Sequence, residues 1–126
     1  MILLDSDILI DVLRGHLPAV AWFSDLDTVP SVPGLVVMEL IQGVSDSAGL
    51  RNVLKLVEPL PFVWPTEVDC NRALADFKSF RLSHNLGLLD ALIAACAVGR
   101  SVTLSTFNSK HYTAIVDLVV DQPYRK

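Results

Sequence analysis

The chain has 126 residues, a hydrophobic content of 52% and a formal net charge of −4. That length fits one domain, residues 1–126, with a real core, and the composition excludes a disordered chain. No apolar run approaches the roughly 20 residues of a membrane span, and MILLDSD carries no basic stretch ahead of its apolar part, so neither a membrane anchor nor a signal peptide is expected. Residues 1–4 form a short apolar run, consistent with a buried strand. Helical spacing begins near Ile8, with Asp11 and Val12 one turn on, and Gly15 is placed to stop that helix. Residues 17–26 read as a second helix, and the β-branched run 28–32 as a strand. Pro33 suits the first turn of a third helix, which carries Val36, Val37, Leu40 and Ile41 and ends near Gly43. Residues 48–57 are amphipathic, with Leu50, Val53, Leu54 and Val57 on one face. Phe62 and Val63 suggest a brief strand. Thr66 and Asp69 resemble a capping pair that opens a long helix to about Leu82. Leu89, Leu92, Ile93 and Cys96 mark one more helical stripe, and residues 102–105 and 118–120 read as closing strands.

Helices thus alternate with very short buried strands, which argues for an α/β fold with an open, mostly parallel sheet covered by helices. In such sheets sites form beyond the carboxyl ends of the strands, and Asp5 directly follows the first strand. The two cysteines, Cys70 and Cys96, stand at helical spacing among apolar residues. Both are expected as buried free thiols of a cytoplasmic protein.

The acids carry most of the functional information. Asp5 and Asp7 open a helix, where a carboxylate can simply cap free amides. Glu39 lies within Leu35-Val36-Val37-Met38-Glu39-Leu40-Ile41, where an unpartnered carboxylate is costly to bury. Asp90 lies in a similarly apolar, small-residue string near a helix start. If Asp5, Glu39 and Asp90 converge, their repulsion must be relieved by protons or cations. Oxygen-only ligands favour hard ions such as Mg²⁺ or Mn²⁺, and no cysteine–histidine spacing suggests zinc. A net charge of −4 is unusual for a nucleic-acid binder. Setting aside the four negative charges of Asp5, Asp7, Glu39 and Asp90 brings it to zero, and bound cations would make that cluster attractive to phosphate.

The strings LLDSDILIDVL, VMELIQG, LGLLDALIAACA and TLSTFNSKHY, in this order and spacing, resemble the successive motifs of the PIN domain, especially the VapC-type toxin ribonucleases. The resemblance runs the whole length of the chain. It implies a three-layer α/β/α sandwich around a central parallel sheet of four or five short strands. Asp5, Glu39 and Asp90 match the three acids that hold the metal and carry catalysis, and Asp7 matches a polar position that supports the first acid. Thr106 matches a hydroxyl position after the fourth strand, and Asn108 stands where many members place a fourth acid, which leaves a second metal in doubt. The implied reaction is Mg²⁺- or Mn²⁺-assisted hydrolysis of RNA phosphodiesters by metal-activated water. The implied partners are RNA, an antitoxin and a second copy of the chain, and the exposed face of helix 48–57 is the sequence feature that favours a homodimer.

Other residues near the motifs have plainer readings beside the functional one. Arg81, His84, Lys110 and His111 are candidates for RNA phosphate contacts or ordinary solvated side chains. Trp22 and Trp64 suit packing better than base stacking, and Tyr112 is read as a packing aromatic. Two other functions compete. One is a non-catalytic PIN-like binding module. The other is a phosphatase of the haloacid dehalogenase type, suggested by Asp5-Ser6-Asp7, although Thr106-Phe107-Asn108 offers no acidic pair where that family needs one.

Overall fold

The apolar N-terminal run becomes the central strand of the molecule. In the computed structural model, which describes residues 1–126, the elements are β1 (Ile2–Leu4), α1 (Ser6–Leu13), α2 (Leu17–Ser24), β2 (Val32–Pro33), α3 (Gly34–Gln42), α4 (Ser47–Val57), β3 (Phe62–Val63), α5 (Glu67–His84), α6 (Leu88–Arg100), β4 (Thr103–Ser105), a 3-10 turn at Ser109–His111, and β5 (Val120–Asp121). Strand β1 runs parallel to β4 with Leu3 opposite Leu104, and β4 runs parallel to β5 with Leu104 opposite Val120. Strands β2 and β3 form a second parallel pair. The two sets are joined at Ser31, whose amide donates to the Ile2 carbonyl at 3.0 Å and whose carbonyl accepts from Leu4 at 2.9 Å. The strand order is therefore β3-β2-β1-β4-β5, all parallel, with β1 in the middle.

The strand expected over residues 28–32 is reduced to Ser31 and the two residues of β2. Pro30 has no amide to give a ladder, and Val29 is 62% exposed. Pro33 ends β2 and caps α3, so the helix begins at Gly34.

Local chemistry sets the helix ends. Asp5 caps α1, its Oδ1 accepting from the Ser6 amide at 2.8 Å, and Gly15 leaves that helix with φ +73°. Helix α5 opens with a full capping box: Asp69 donates its amide to Thr66 Oγ1 (3.1 Å) and accepts from the Thr66 amide at Oδ2 (2.9 Å).

Leu3, Leu4, Ile8, Leu9 and Leu104 have no exposed surface, and α6 contributes the small buried residues Ala91, Ala94, Ala95, Cys96 and Ala97. Small side chains let α5 and α6 approach closely. A Cβ at Gly99 would collide with Asp69 Oδ1. Asp69 is itself fixed by Arg100, whose Nη1 lies 3.0 Å from Oδ2 and whose Nη2 donates to the Trp64 carbonyl at 2.7 Å. Burial pushes the Asp69 carboxyl up, but the Thr66 amide and the Arg100 guanidinium outweigh it and hold the carboxyl below its ordinary range.

Two packing expectations need correction. Cys96 is a buried free thiol, but Cys70, near the start of α5, is free and exposed. On α4, Val53 and Val57 are buried in the chain's own core, so Leu54, at 45% exposed, and the partly exposed Leu50 are left from that face for a partner. Trp64 is half-exposed and lies across Gly34, where a Cβ would meet its ring. Trp22 packs at the edge of the core against Tyr124, which also stacks on Phe107 at 4.8 Å and donates to Asp11 Oδ2 at 2.7 Å. No helix is long and apolar enough to cross a membrane.

Candidate active site

Asp5 leaves β1 at its carboxyl end, Thr106 leaves β4 at the same end, and their side chains meet although 101 residues separate them. Thr106 Oγ1 donates to Asp5 Oδ2 at 2.9 Å and accepts from the Asn108 amide at 3.1 Å. The Tyr112 hydroxyl lies 2.9 Å from the same Asp5 oxygen and 3.3 Å from Asp90 Oδ1. It therefore bridges two of the three acids. Asp5 is almost wholly buried. Burial, and then the neighbouring charge of Asp7, push its carboxyl above the ordinary range, against the three donors that favour its charge.

Asp7 faces the β4 turn. Its Oδ2 accepts from the Phe107 amide at 2.7 Å and its Oδ1 from the Ile8 amide at 3.0 Å. Burial still raises its carboxyl. Its contacts make it the tie between the start of α1 and the loop that carries Thr106.

Glu39 enters from the second turn of α3. Burial and the charges of Asp5 and Asp90 push its carboxyl from 4.5 to about 7. Its Oε1 is buried with no hydrogen-bond partner. A carboxylate that is crowded by two others and has an orphaned oxygen fits a bound cation. The donor set is all oxygen around Glu39, which suits a hard divalent ion. As placed, no three carboxylate, thiol or imidazole groups form a cluster that could hold a metal ion.

Asp90 sits in the first turn of α6, after the cap Gly87. Besides Tyr112 it meets His111, whose Nδ1 is 3.6 Å from Asp90 Oδ2. Two clefts share Glu39 as a wall. One, of about 380 Å³, is lined by Ser6, Ile10, Arg14, Glu39, Leu40 and Val53, among others. The other, of about 350 Å³, is lined by Leu35, Met38, Glu39, Gln42 and Leu89. Of the three acids, Glu39 alone lines these clefts.

The remaining residues singled out in the sequence divide. Asn108 has an exposed side chain without a hydrogen bond, and it is the His111 imidazole that faces Asp90. Arg81 caps the end of α5, donating to Asn85 Oδ1 at 3.0 Å and to the Leu86 carbonyl at 3.3 Å. His84 Nδ1 lies 2.7 Å from Ser83 Oγ, and its ring stands edge-on to Phe80. Lys110 is exposed beside His111. No hydrogen bond or ion pair links Arg81, His84 or Lys110 to the three acids. Two residues went unnoticed. Tyr112, read as packing only, carries the hydroxyl between Asp5 and Asp90. Arg14 stands one turn past Ile10 on the cleft wall, a spacing that a helical-face reading of α1 can supply.

The PIN domain family model matches residues 2–115. The chain belongs to the PIN domain family. A relative from Mycobacterium tuberculosis (strain H37Rv), Ribonuclease VapC10, is 37% identical over 115 residues, covering 89% of this chain and 86% of the relative. This PIN domain also shares its fold with a toxin-antitoxin complex from Klebsiella pneumoniae (TM-score 0.80, 23% identity, 100% of both chains). A second such structure is VapBC-1 from nontypeable Haemophilus influenzae (TM-score 0.78, 24% identity, 96% of this chain and 97% of that one). Membership in this family removes the phosphatase reading of Asp5-Ser6-Asp7. It agrees with the mixed α/β architecture and its five short parallel strands.

Proposed function

We propose that the protein is a divalent-metal-dependent endoribonuclease and the toxin member of a toxin–antitoxin pair, acting in the cytoplasm. The observation that carries this reading is Glu39, a carboxylate with an orphaned buried oxygen, pressed by the charges of Asp5 and Asp90. The 37% identity to Ribonuclease VapC10 supports the substrate class.

Asp5, Glu39 and Asp90 would hold Mg²⁺ or Mn²⁺. A bound ion supplies a water acidic enough to attack and positive charge against the phosphate. The rest falls to the chain. Thr106 and Tyr112 fix the Asp5 carboxylate by donating to one oxygen, which leaves the orientation of the site independent of solvent. Asp7 holds the 106–108 loop against α1. Cleavage leaves a 5′-phosphate and a 3′-hydroxyl. Arg14 on the cleft wall supplies a positive contact for the RNA backbone, and Lys110 a weaker, solvated one. The antitoxin occupies the cleft that holds Arg14, and a second copy packs on exposed apolar residues outside it such as Met38 and Leu88.

The test is cleavage of RNA by the purified chain, with and without EDTA, against Asp90→Asn. The expected result is Mg²⁺- or Mn²⁺-dependent cleavage that the variant loses while keeping its fold. Undiminished cleavage by the variant would remove the site. A folded wild-type chain that cuts no RNA under any divalent ion would favour a binding module.

A further inference from the structure

We propose that His111 donates an imidazole nitrogen to the cation held at Asp90, and that this nitrogen tilts the site toward Mn²⁺ over Mg²⁺. The inference rests on the metal-site reading above and goes beyond it, because it adds a nitrogen to a set that otherwise contains only oxygens.

Four observations carry it. His111 Nδ1 stands 3.6 Å from Asp90 Oδ2, the oxygen that Tyr112 leaves free. Two ligands at right angles on one ion are about 3 Å apart when each bond is about 2.1 Å, so a small movement of the half-exposed ring brings both onto a shared ion. The ring is presented by a fixed turn, not a loose loop. The His111 amide donates to the Asn108 carbonyl at 2.9 Å, and the Asn108 amide donates to Thr106 Oγ1, which holds Asp5. The Asn108 side chain, the other candidate ligand on this turn, points to solvent without a bond.

Imidazole binds first-row transition ions far better than Mg²⁺, whose preference is for oxygen. A site of carboxylates alone distinguishes Mn²⁺ from Mg²⁺ weakly. One that adds a nitrogen distinguishes them more. The competing arrangement is a plain ion pair, in which a charged His111 neutralises Asp90 and has no bond to the metal.

The experiment uses the full chain with Mn²⁺ or Mg²⁺ alone and no RNA. Affinities are measured by calorimetry, and the Mn²⁺-loaded protein is examined by pulsed EPR for ¹⁴N coupling. Wild type should show the ¹⁴N coupling and bind Mn²⁺ at least about tenfold more tightly than Mg²⁺. His111→Ala should lose the coupling and about tenfold in Mn²⁺ affinity, with Mg²⁺ affinity changed less than about threefold. His111→Gln, which keeps a polar side chain, serves should the alanine variant unfold, and the same losses are expected of it. Absence of ¹⁴N coupling in the wild type overturns the proposal, as does an unchanged or tighter Mn²⁺ affinity in the variants. Asp90→Asn separates the two levels. If it binds Mn²⁺ as wild type does, the metal site itself is wrong. If it loses binding while the His111 variants lose nothing, only the nitrogen ligand is wrong.

Discussion

Replacing Glu39 by glutamine tests the crowding of the acids without any substrate. The Glu39 carboxyl is raised from 4.5 to about 7, first by burial and then by Asp5 and Asp90. Because the folded chain holds this proton more tightly than the unfolded chain, the group's stability contribution is full below about pH 4.5 and is lost as pH rises through about 7. The whole shift corresponds to at most about 3 kcal/mol. Glu39 is only partly buried, and solvent screening reduces this to about 1–2 kcal/mol. Glutamine keeps the shape and removes the charge. In EDTA at pH 8, Glu39→Gln should therefore melt about 4–8 °C above wild type. The gap should shrink as pH falls and close near about pH 4, where both chains are neutral at this position. Adding Mn²⁺ should raise the wild-type melting temperature and move the variant less, since a ligand that binds only the folded state stabilises it in proportion to its affinity. Differential scanning calorimetry across this pH range reads all three outcomes. A variant that melts at or below wild type at pH 8 without metal would refute the crowding and the cation demand inferred from it.

Tyr112→Phe removes a donor from a buried carboxylate and should lower the stability of the metal-free chain by about 1–3 kcal/mol in urea titration; an unchanged midpoint would mean that the hydroxyl does not hold Asp5. Gly99→Ala gains about 1 kcal/mol of helix propensity, but its Cβ displaces an Asp69 that is tied by Thr66 and Arg100. Loss of those charged bonds should dominate and destabilise the chain by about 1–3 kcal/mol net, and a stabilised variant would show that Asp69 can yield. Light scattering at tens of micromolar should give a dimer, and mutation of Met38 to glutamate should give a monomer; a monomeric wild type ends that part of the proposal.

Much of this was legible before the structure. The acids stood out because each interrupts an apolar string, and the carboxyl-end rule for parallel sheets pointed to Asp5. The capping box at Thr66 and Asp69 set the start of α5 by local chemistry alone. What stayed hidden depends on contacts between distant parts of the chain. Nothing in residues 109–112 says which side chain of the turn faces α6, so Asn108 drew attention that belongs to His111. Tyr112 looks like any packing aromatic until β4 brings its hydroxyl to Asp5, 107 residues away. Cys70 and Cys96 share helical spacing, yet only packing decides which faces outward. The sheet is also narrowed to a single bridge at Ser31, next to Pro30, where propensity favoured a longer strand.

The central position of β1 has a consequence for synthesis. Its partner β4 and its bonded side chains Thr106 and Tyr112 come from the last quarter of the chain. At about 5–20 residues per second, roughly 5–20 s pass between the emergence of Asp5 and of the groups that hold it. Through that interval Glu39 and Asp90 emerge as well, but the centre is not assembled. Any product interrupted before about residue 105 lacks β4 and the two hydroxyls that hold Asp5. Under the function proposed above, activity would then begin only with nearly complete translation, when an inhibitor can meet a finished fold.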